Sequence, residues 1–128
     1  MNAALWTIQI VLGLAFLAAG AMKATKSPAE LKESAGESMA WTDDLSAGQV
    51  RTIGILEVLG GLGLILPPAV DVLPILVPIA ASGLVLTMLG AIVVHVRRKE
   101  YLPSVVVNLV LGGLALVVAI GRFGPQAF

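Results

Sequence analysis

The sequence predicts an all-α membrane protein that folds as an antiparallel four-transmembrane-helix bundle. Four apolar stretches, at residues 3–22, 47–66, 73–96 and 104–120, are each long enough to cross a bilayer, which takes about 20 residues at a rise of 1.5 Å each. Hydrophobic residues make up 58% of the 128 residues and charged residues 12%, about half the charged share of an average soluble domain. Since so few polar residues cannot coat a soluble globule, we expect residues 1–128 to form a single transmembrane domain.

The first predicted helix, residues 3–22, is similar to a secretory signal peptide but differs from one in two respects. No Lys or Arg precedes it, and its apolar core exceeds the roughly 7–15 residues of a cleaved segment. We therefore expect a retained helix, followed by a polar loop at residues 23–46. Within that loop, Ser27-Pro28-Ala29-Glu30 is a capping box with proline at the first helical position, which predicts a short helix at about residues 28–36. Trp41 allows two interpretations of this loop. Either one edge of the loop lies in the headgroup layer, where tryptophan is favoured, or the whole loop is a solvated connector.

Capping residues and prolines set the other boundaries. Ser46-Ala47-Gly48-Gln49 is a second capping box, so the second transmembrane helix should begin near residue 47, and Pro67-Pro68 should end it after residue 66. Pro74 lies at the opening of the third helix, and Pro78, one turn later, is expected to kink it. The basic run Arg97-Arg98-Lys99 ends that helix.

Basic residues orient the bundle across the membrane. Short connections make neighbouring helices antiparallel, so loops 23–51 and 97–103 lie on one side. These loops contain all but one of the eight basic residues, namely Lys23, Lys26, Lys32, Arg51, Arg97, Arg98 and Lys99. The positive-inside rule therefore predicts that both loops are cytoplasmic and both termini outside. The remaining one, Arg122, is expected to extend toward the outer headgroups.

Small residues at helical spacing predict where the helices pack, because lipid offers no hydrophobic drive for their association. Each predicted helix carries such a stripe. The glycines in these stripes are Gly13, Gly20, Gly54, Gly60, Gly61, Gly83, Gly90 and Gly112. We interpret them as packing positions rather than as parts of a ligand site.

Glu57 is the most unusual residue of the apolar segments, because it places a carboxylate about 9 Å inside its helix. A charge near the bilayer centre costs about 2.5–3.5 kcal/mol on insertion scales, so Glu57 should face protein and have a partner. Matching depth along the helices brings Lys23, His95 and Asn108 to the same level and excludes Gln9. Two interpretations stay open: a polar cluster that fixes helix register, or a polar floor under a lipophilic pocket where Glu57 binds a ligand or relays a proton.

Composition excludes several classes of site. With no cysteine in the sequence, disulfides, thiolate nucleophiles and cysteine-ligated metals are excluded. One histidine and no dense carboxylate cluster lead us to expect no metal site. The formal net charge is zero, so nothing points to nucleic acid as a partner.

Four segments together resemble a known family. They are Gly13…Ala19-Gly20-Ala21-Met22-Lys23, then Gly54-Ile55-Leu56-Glu57-Val58-Leu59-Gly60-Gly61-Leu62-Gly63, then Gly90-Ala91…His95…Arg97-Arg98, and finally Asn108-Leu109 with Gly121-Arg122-Phe123. The chain is similar, over nearly its whole length, to the DoxX-like family of small bacterial membrane proteins. This resemblance implies a four-helix transmembrane fold in the bacterial cytoplasmic membrane but no catalytic residue set. Relatives include a membrane subunit linked to thiosulfate:quinone oxidation, partners of redox and detoxification enzymes, and distant eukaryotic chaperones of nicotinic receptors.

Two functional hypotheses follow. In the first, the bundle is not an enzyme and binds a hydrophobic ligand or a partner's transmembrane helix, in assembly or scaffolding of a membrane complex. In the alternative, it is the membrane subunit of a quinone-linked oxidoreductase, with Glu57 or His95 exchanging protons with the quinone and the redox centre on another chain. We expect no resident cofactor, with a quinone or a lipid as candidate ligand. The expected partners are the lipid bilayer, a membrane protein and further copies of this chain.

Overall fold

The computed structural model describes residues 2–128, with the backbone alone for Glu37 and Ser38. Five α-helices follow one another: α1 (Asn2–Thr25), α2 (Pro28–Ala35), α3 (Ala47–Ala69), α4 (Leu76–Arg97) and α5 (Val106–Phe123). A 3₁₀ segment, Gly36–Asp44, follows α2, and a π-type turn, Tyr101–Val105, precedes α5. All except α2 belong to spans long and apolar enough to cross a membrane. The predicted fold class, an all-α four-helix transmembrane bundle, is confirmed.

Both predicted capping boxes are present. The Ser27 hydroxyl accepts a hydrogen bond from the Glu30 N–H, while the Glu30 carboxylate accepts one from the Ser27 N–H, each at 3.2 Å. Ser46 and Gln49 exchange the same two bonds at 3.1 and 2.9 Å. These bonds satisfy backbone donors that a helix start otherwise leaves free, so the sequence sets the starts of α2 and α3 locally.

Helix α3 continues through Pro67 and Pro68 to Ala69, whereas the sequence predicted its end at residue 66. Proline normally stops a helix because it lacks the N–H that would bond to the carbonyl four residues earlier. The carbonyl that Pro68 leaves free is that of Leu64. Gln9 of α1 replaces the missing donor, since its Nε2 donates to the Leu64 oxygen at 2.8 Å.

Helix α4 begins at Leu76, so Pro78 is the third residue of its first turn. An N–H in the first turn has no acceptor within the helix, and proline therefore removes no helical hydrogen bond there. The missing N–H of Pro78 therefore gives no reason for a kink, because the helix begins three residues later than the sequence predicted.

Close packing of α1 on α3 depends on glycine pairs. A Cβ atom built on Gly20 would lie 2.6 Å from the Gly54 carbonyl oxygen, and one on Gly61 would lie 2.7 Å from that of Gly13. Neither atom could be accommodated unless the helices moved apart. The pairs run in opposite directions along the two helices, which is an antiparallel register.

The other predicted packing glycines divide into two groups. A Cβ on Gly60 would lie 2.6 Å from the Leu84 side chain, and one on Gly112 would lie 3.2 Å from the Met88 Cβ. Gly83 and Gly90, in contrast, have nothing within 4 Å of an added Cβ. Their prediction as packing positions is wrong within this chain, because both lie on exposed parts of α4.

The core lies between the four long helices, and their outer faces are apolar as well. Its members are Leu5, Leu12, Phe16, Leu64, Val77, Ala81, Leu84, Met88, Ala115, Val118 and Ala119. Large side chains such as Leu86, 69% exposed, cover the outside of the bundle. An extensive exposed apolar surface is what a lipid environment requires of a bundle.

Candidate ligand-binding site

A cavity of about 580 Å³ lies among α1, α3, α4 and α5, beside the 3₁₀ segment. Most of its wall is apolar and includes Phe16, Leu56, Met88, Val94 and Leu111. The polar side chains on its wall come from separate elements of the bundle. A mostly apolar cavity with a few polar groups is typical of small-molecule sites.

All four polar residues predicted from the sequence line this cavity, but they do not form one hydrogen-bonded cluster. Lys23 Nζ donates to Glu57 Oε1 at 2.6 Å. His95 is hydrogen-bonded to Glu100 instead. The Asn108 side chain makes no hydrogen bond to any residue that the structure describes. The structure thus pairs Glu57 with one of its three expected partners and places the other two on the same cavity wall.

Glycine spacing brings Lys23 and Glu57 together. Each follows a glycine by three positions, Gly20 on α1 and Gly54 on α3, and residues three apart share a helix face. A Cβ on Gly20 would lie 2.9 Å from the Glu57 Cβ, so the missing side chain leaves room for the carboxylate. Glu57 is 2% exposed and Lys23 12%, so both charges are withdrawn from solvent and neutralise each other.

Trp41, from the 3₁₀ segment, packs against the polar end of the cavity. Its ring lies 5.8 Å from Lys23 Nζ and meets the His95 ring edge-on, with centroids 5.9 Å apart. A salt bridge of 2.9 Å from Arg98 to Asp44 attaches the same segment to the end of α4. The sequence placed Trp41 in a headgroup layer or a solvated loop; its role in the cavity wall was missed because only tertiary contacts reveal it.

The carboxylate partner of His95 is Glu100, which the sequence analysis also missed. His95 Nδ1 lies 2.8 Å from Glu100 Oε1, and Arg98 Nε donates to Glu100 Oε2 at 3.1 Å. Burial acts to raise the pKa of Glu100, but the hydrogen bonds from His95 and Arg98 prevail and hold the pKa below its usual value. The chain turns back at Lys99, whose φ of 60° is left-handed, and this turn brings Glu100 to the imidazole.

The model of the DoxX-like family matches residues 7–119, a range that reaches into all four membrane-spanning helices. The chain belongs to the DoxX-like family. No curated protein and no solved structure gives a significant match to it. Family membership and the four apolar helices together identify a multi-pass membrane protein in contact with the lipid bilayer.

At the opposite end of this DoxX-like protein, Arg122 points inward rather than toward headgroups. It is 3% exposed, and its Nε donates to Gln9 Oε1 at 2.8 Å and its Nη1 to Asn2 Oδ1 at 2.7 Å. The Phe128 ring covers the guanidinium, with its centroid 3.9 Å from Cζ. The expectation that Arg122 extends outward is wrong because acceptors inside the bundle and this ring hold it there. Gln9 belongs to this second polar group, apart from the cavity.

The side chains able to ligate a metal are dispersed in the part of the chain that the structure describes. There, no three or more His, Asp or Glu side chains converge in a group that could hold a metal ion. The cavity is an apolar volume whose wall carries one internal ion pair, an imidazole, and an amide, a hydroxyl and an indole N–H that make no hydrogen bond to the described residues.

Proposed function

We propose that this DoxX-like protein binds a lipophilic molecule in the cavity between its four membrane-spanning helices and is not itself an enzyme. One observation carries the proposal. An apolar cavity of about 580 Å³ has polar groups from four different helices on its wall: Lys23, Glu57, His95 and Asn108. Its volume falls within the range of about 300–1,000 Å³ of small-molecule sites.

The route into the cavity supports a ligand that arrives from the bilayer. Several residues of its wall are also exposed on the outside of the bundle: Ala15, Leu56, Gly90, Pro103 and Val107. The cavity is therefore not sealed from the surface of the bundle, and we propose that its opening faces lipid. A molecule dissolved in the bilayer can enter through this opening without crossing water.

The fluorescence of Trp41 can report binding in the cavity. The chain has two tryptophans, so a Trp6→Phe background leaves Trp41 as the only fluorophore of that type. We expect a dibrominated long-chain alcohol to quench Trp41 fluorescence with a saturable dependence on concentration. The Trp41→Phe variant, which retains Trp6 near Phe128, reports quenching by nonspecific partitioning alone.

A pair of glycine variants tests whether the quencher occupies the cavity. Gly90 lines the cavity and Gly83 does not, while a Cβ at either position meets nothing within 4 Å. Gly90→Leu should weaken saturable quenching about tenfold, and Gly83→Leu should leave it unchanged. Linear quenching without saturation, or equal affinity in both variants, would contradict the proposal.

The quinone-linked alternative has one observation in its favour. His95 lines the cavity and has a carboxylate partner, Glu100, at 2.8 Å, a pair of groups able to pass a proton to a bound headgroup. A short-chain quinone that competes with the brominated alcohol and loses affinity in His95→Phe would support this function.

A third candidate role is docking of a partner's transmembrane helix. The open face at Gly83 and Gly90 favours it, and co-purification of a partner that is lost in Gly83→Leu would support it.

We further propose the orientation predicted by the basic residues, in a bacterial inner membrane. The cavity end of the bundle carries Lys23, Arg98 and the other basic residues of the two loops. By the positive-inside rule this end faces the cytoplasm, and both termini lie outside.

A further inference from the structure

Resting on the proposed function, we infer that the ligand has an uncharged headgroup with a hydroxyl or carbonyl oxygen, and that the Asn108 amide binds it. The class of ligand is thus a neutral long-chain amphiphile rather than a fatty acid, an anionic lipid or a lipophilic cation. Three features of the cavity lead to this assignment: its charges, its free amide and its apolar remainder.

The charges on and behind the cavity wall are paired within the chain. Lys23 and Glu57 neutralise each other at 2.6 Å. His95 is bonded to Glu100, whose second oxygen accepts from Arg98 at 3.1 Å. A charged headgroup in this apolar space would either stay unpaired or break one of these pairs, and both are unfavourable in a low dielectric.

Three polar side chains of the cavity wall, Trp41, Ser104 and Asn108, are half-buried and make no hydrogen bond to the described residues. Of these, Asn108 is the amide, with more hydrogen-bonding groups than a hydroxyl or an indole N–H. A primary amide provides two donors and one acceptor, and burial without hydrogen bonds is costly. A ligand hydroxyl or carbonyl would satisfy this amide without adding charge.

A second group of the wall complements Asn108. Since His95 Nδ1 is bonded to Glu100, the tautomer is set by that bond and Nε2 is left for the cavity. Thr87, by contrast, already donates its hydroxyl to the Gly83 carbonyl at 2.9 Å. We take the Asn108 amide and the His95 imidazole as the main polar recognition elements, beside the Ser104 hydroxyl and the Trp41 indole N–H, and the apolar remainder of the wall suits a hydrocarbon chain.

Competition among matched amphiphiles tests the headgroup. Hexadecanol, hexadecyl sulfate and hexadecyltrimethylammonium share one chain and differ in charge, and each is titrated against the brominated alcohol in the Trp6→Phe protein. We expect hexadecanol to displace the quencher at a concentration about tenfold lower than either charged compound needs. Equal displacement, or preference for a charged compound, would overturn the headgroup assignment and leave the proposed function standing.

The Asn108→Leu variant tests whether the Asn108 amide binds the headgroup, and Thr87→Val is the matched control. The affinity of Asn108→Leu for hexadecanol should fall about tenfold, with no change for hexadecane, which lacks the headgroup. Thr87→Val removes a hydroxyl that is already bonded, so it should leave both affinities unchanged. Equal losses for hexadecanol and hexadecane in Asn108→Leu would overturn the role of the amide. Absence of saturable binding by any compound to the unmodified cavity would instead refute the proposed function itself.

Discussion

Removing Glu57 while keeping Lys23 should destabilise the bundle strongly. In Glu57→Ala the Lys23 ammonium, 12% exposed, loses the acceptor that lies 2.6 Å away. An ammonium left in apolar surroundings without its carboxylate costs about 3–5 kcal/mol of stability. The free energy of unfolding can be measured by titrating the purified protein in mixed micelles with sodium dodecyl sulfate and following its circular dichroism.

A double variant that replaces both Lys23 and Glu57 tests whether the loss of stability comes from the unpaired charge. Lys23→Met combined with Glu57→Met fills similar volume without burying charge, and such replacements are often neutral or stabilising by about 1–4 kcal/mol. We therefore expect the double variant to recover the stability that Glu57→Ala loses. The exposed pair of Lys32 and Asp43, 40% and 53% exposed, is the control, since solvent screens this pair and Asp43→Ala should cost little stability.

The double variant also distinguishes a structural role of the Lys23–Glu57 pair from a role in ligand binding. If it folds and still binds the brominated alcohol, Lys23 and Glu57 act in helix register; if it folds and does not bind, they belong to the binding site. A loss in Glu57→Ala as small as that of Asp43→Ala would refute the reasoning, as would a double variant no more stable than the single one.

Three further outcomes are expected. Gly20→Ala should lower stability by about 1–3 kcal/mol, because its Cβ would lie 2.6 Å from an α3 carbonyl oxygen; Gly83→Ala, with open space around it, should be neutral or stabilising by up to about 1 kcal/mol. Arg122→Met should cost about 1–3 kcal/mol by leaving a buried glutamine acceptor without its donor, and a side chain that reached headgroups instead would show no loss in the same titration. Because the chain has no cysteine, Ser34→Cys should react with a membrane-impermeant maleimide only after cell lysis and Ala127→Cys in intact spheroplasts; the reverse pattern would invert the proposed orientation.

The sequence predicted well those features that depend on local or one-dimensional information. Hydropathy alone gives four spans, and the capping boxes at Ser27 and Ser46 need only residues within one turn. The approach of Lys23 to Glu57 was predictable because helices are rigid rods, so depth follows from counting residues. The presence of His95 and Asn108 on the same cavity wall followed from the same arithmetic.

Features that depend on side-chain direction or on distant segments were not predictable. Helical spacing groups Gly83 with Gly90 but does not say which face of α4 meets a neighbour. The inward position of Arg122 depends on acceptors more than a hundred positions earlier in the chain. Glu100 reaches His95 only through a left-handed turn at Lys99, a conformation that lysine seldom adopts.

The bond from Gln9 to the Leu64 carbonyl has a consequence for the order of assembly. Pro68 leaves that carbonyl without a donor inside its own helix, and the 2.8 Å bond from the neighbouring helix supplies one. The Leu64 carbonyl therefore has this donor only when α1 lies alongside α3. A chain that inserts its second span before the first has docked would expose an unsatisfied carbonyl to hydrocarbon, so this contact favours early pairing of the first two spans.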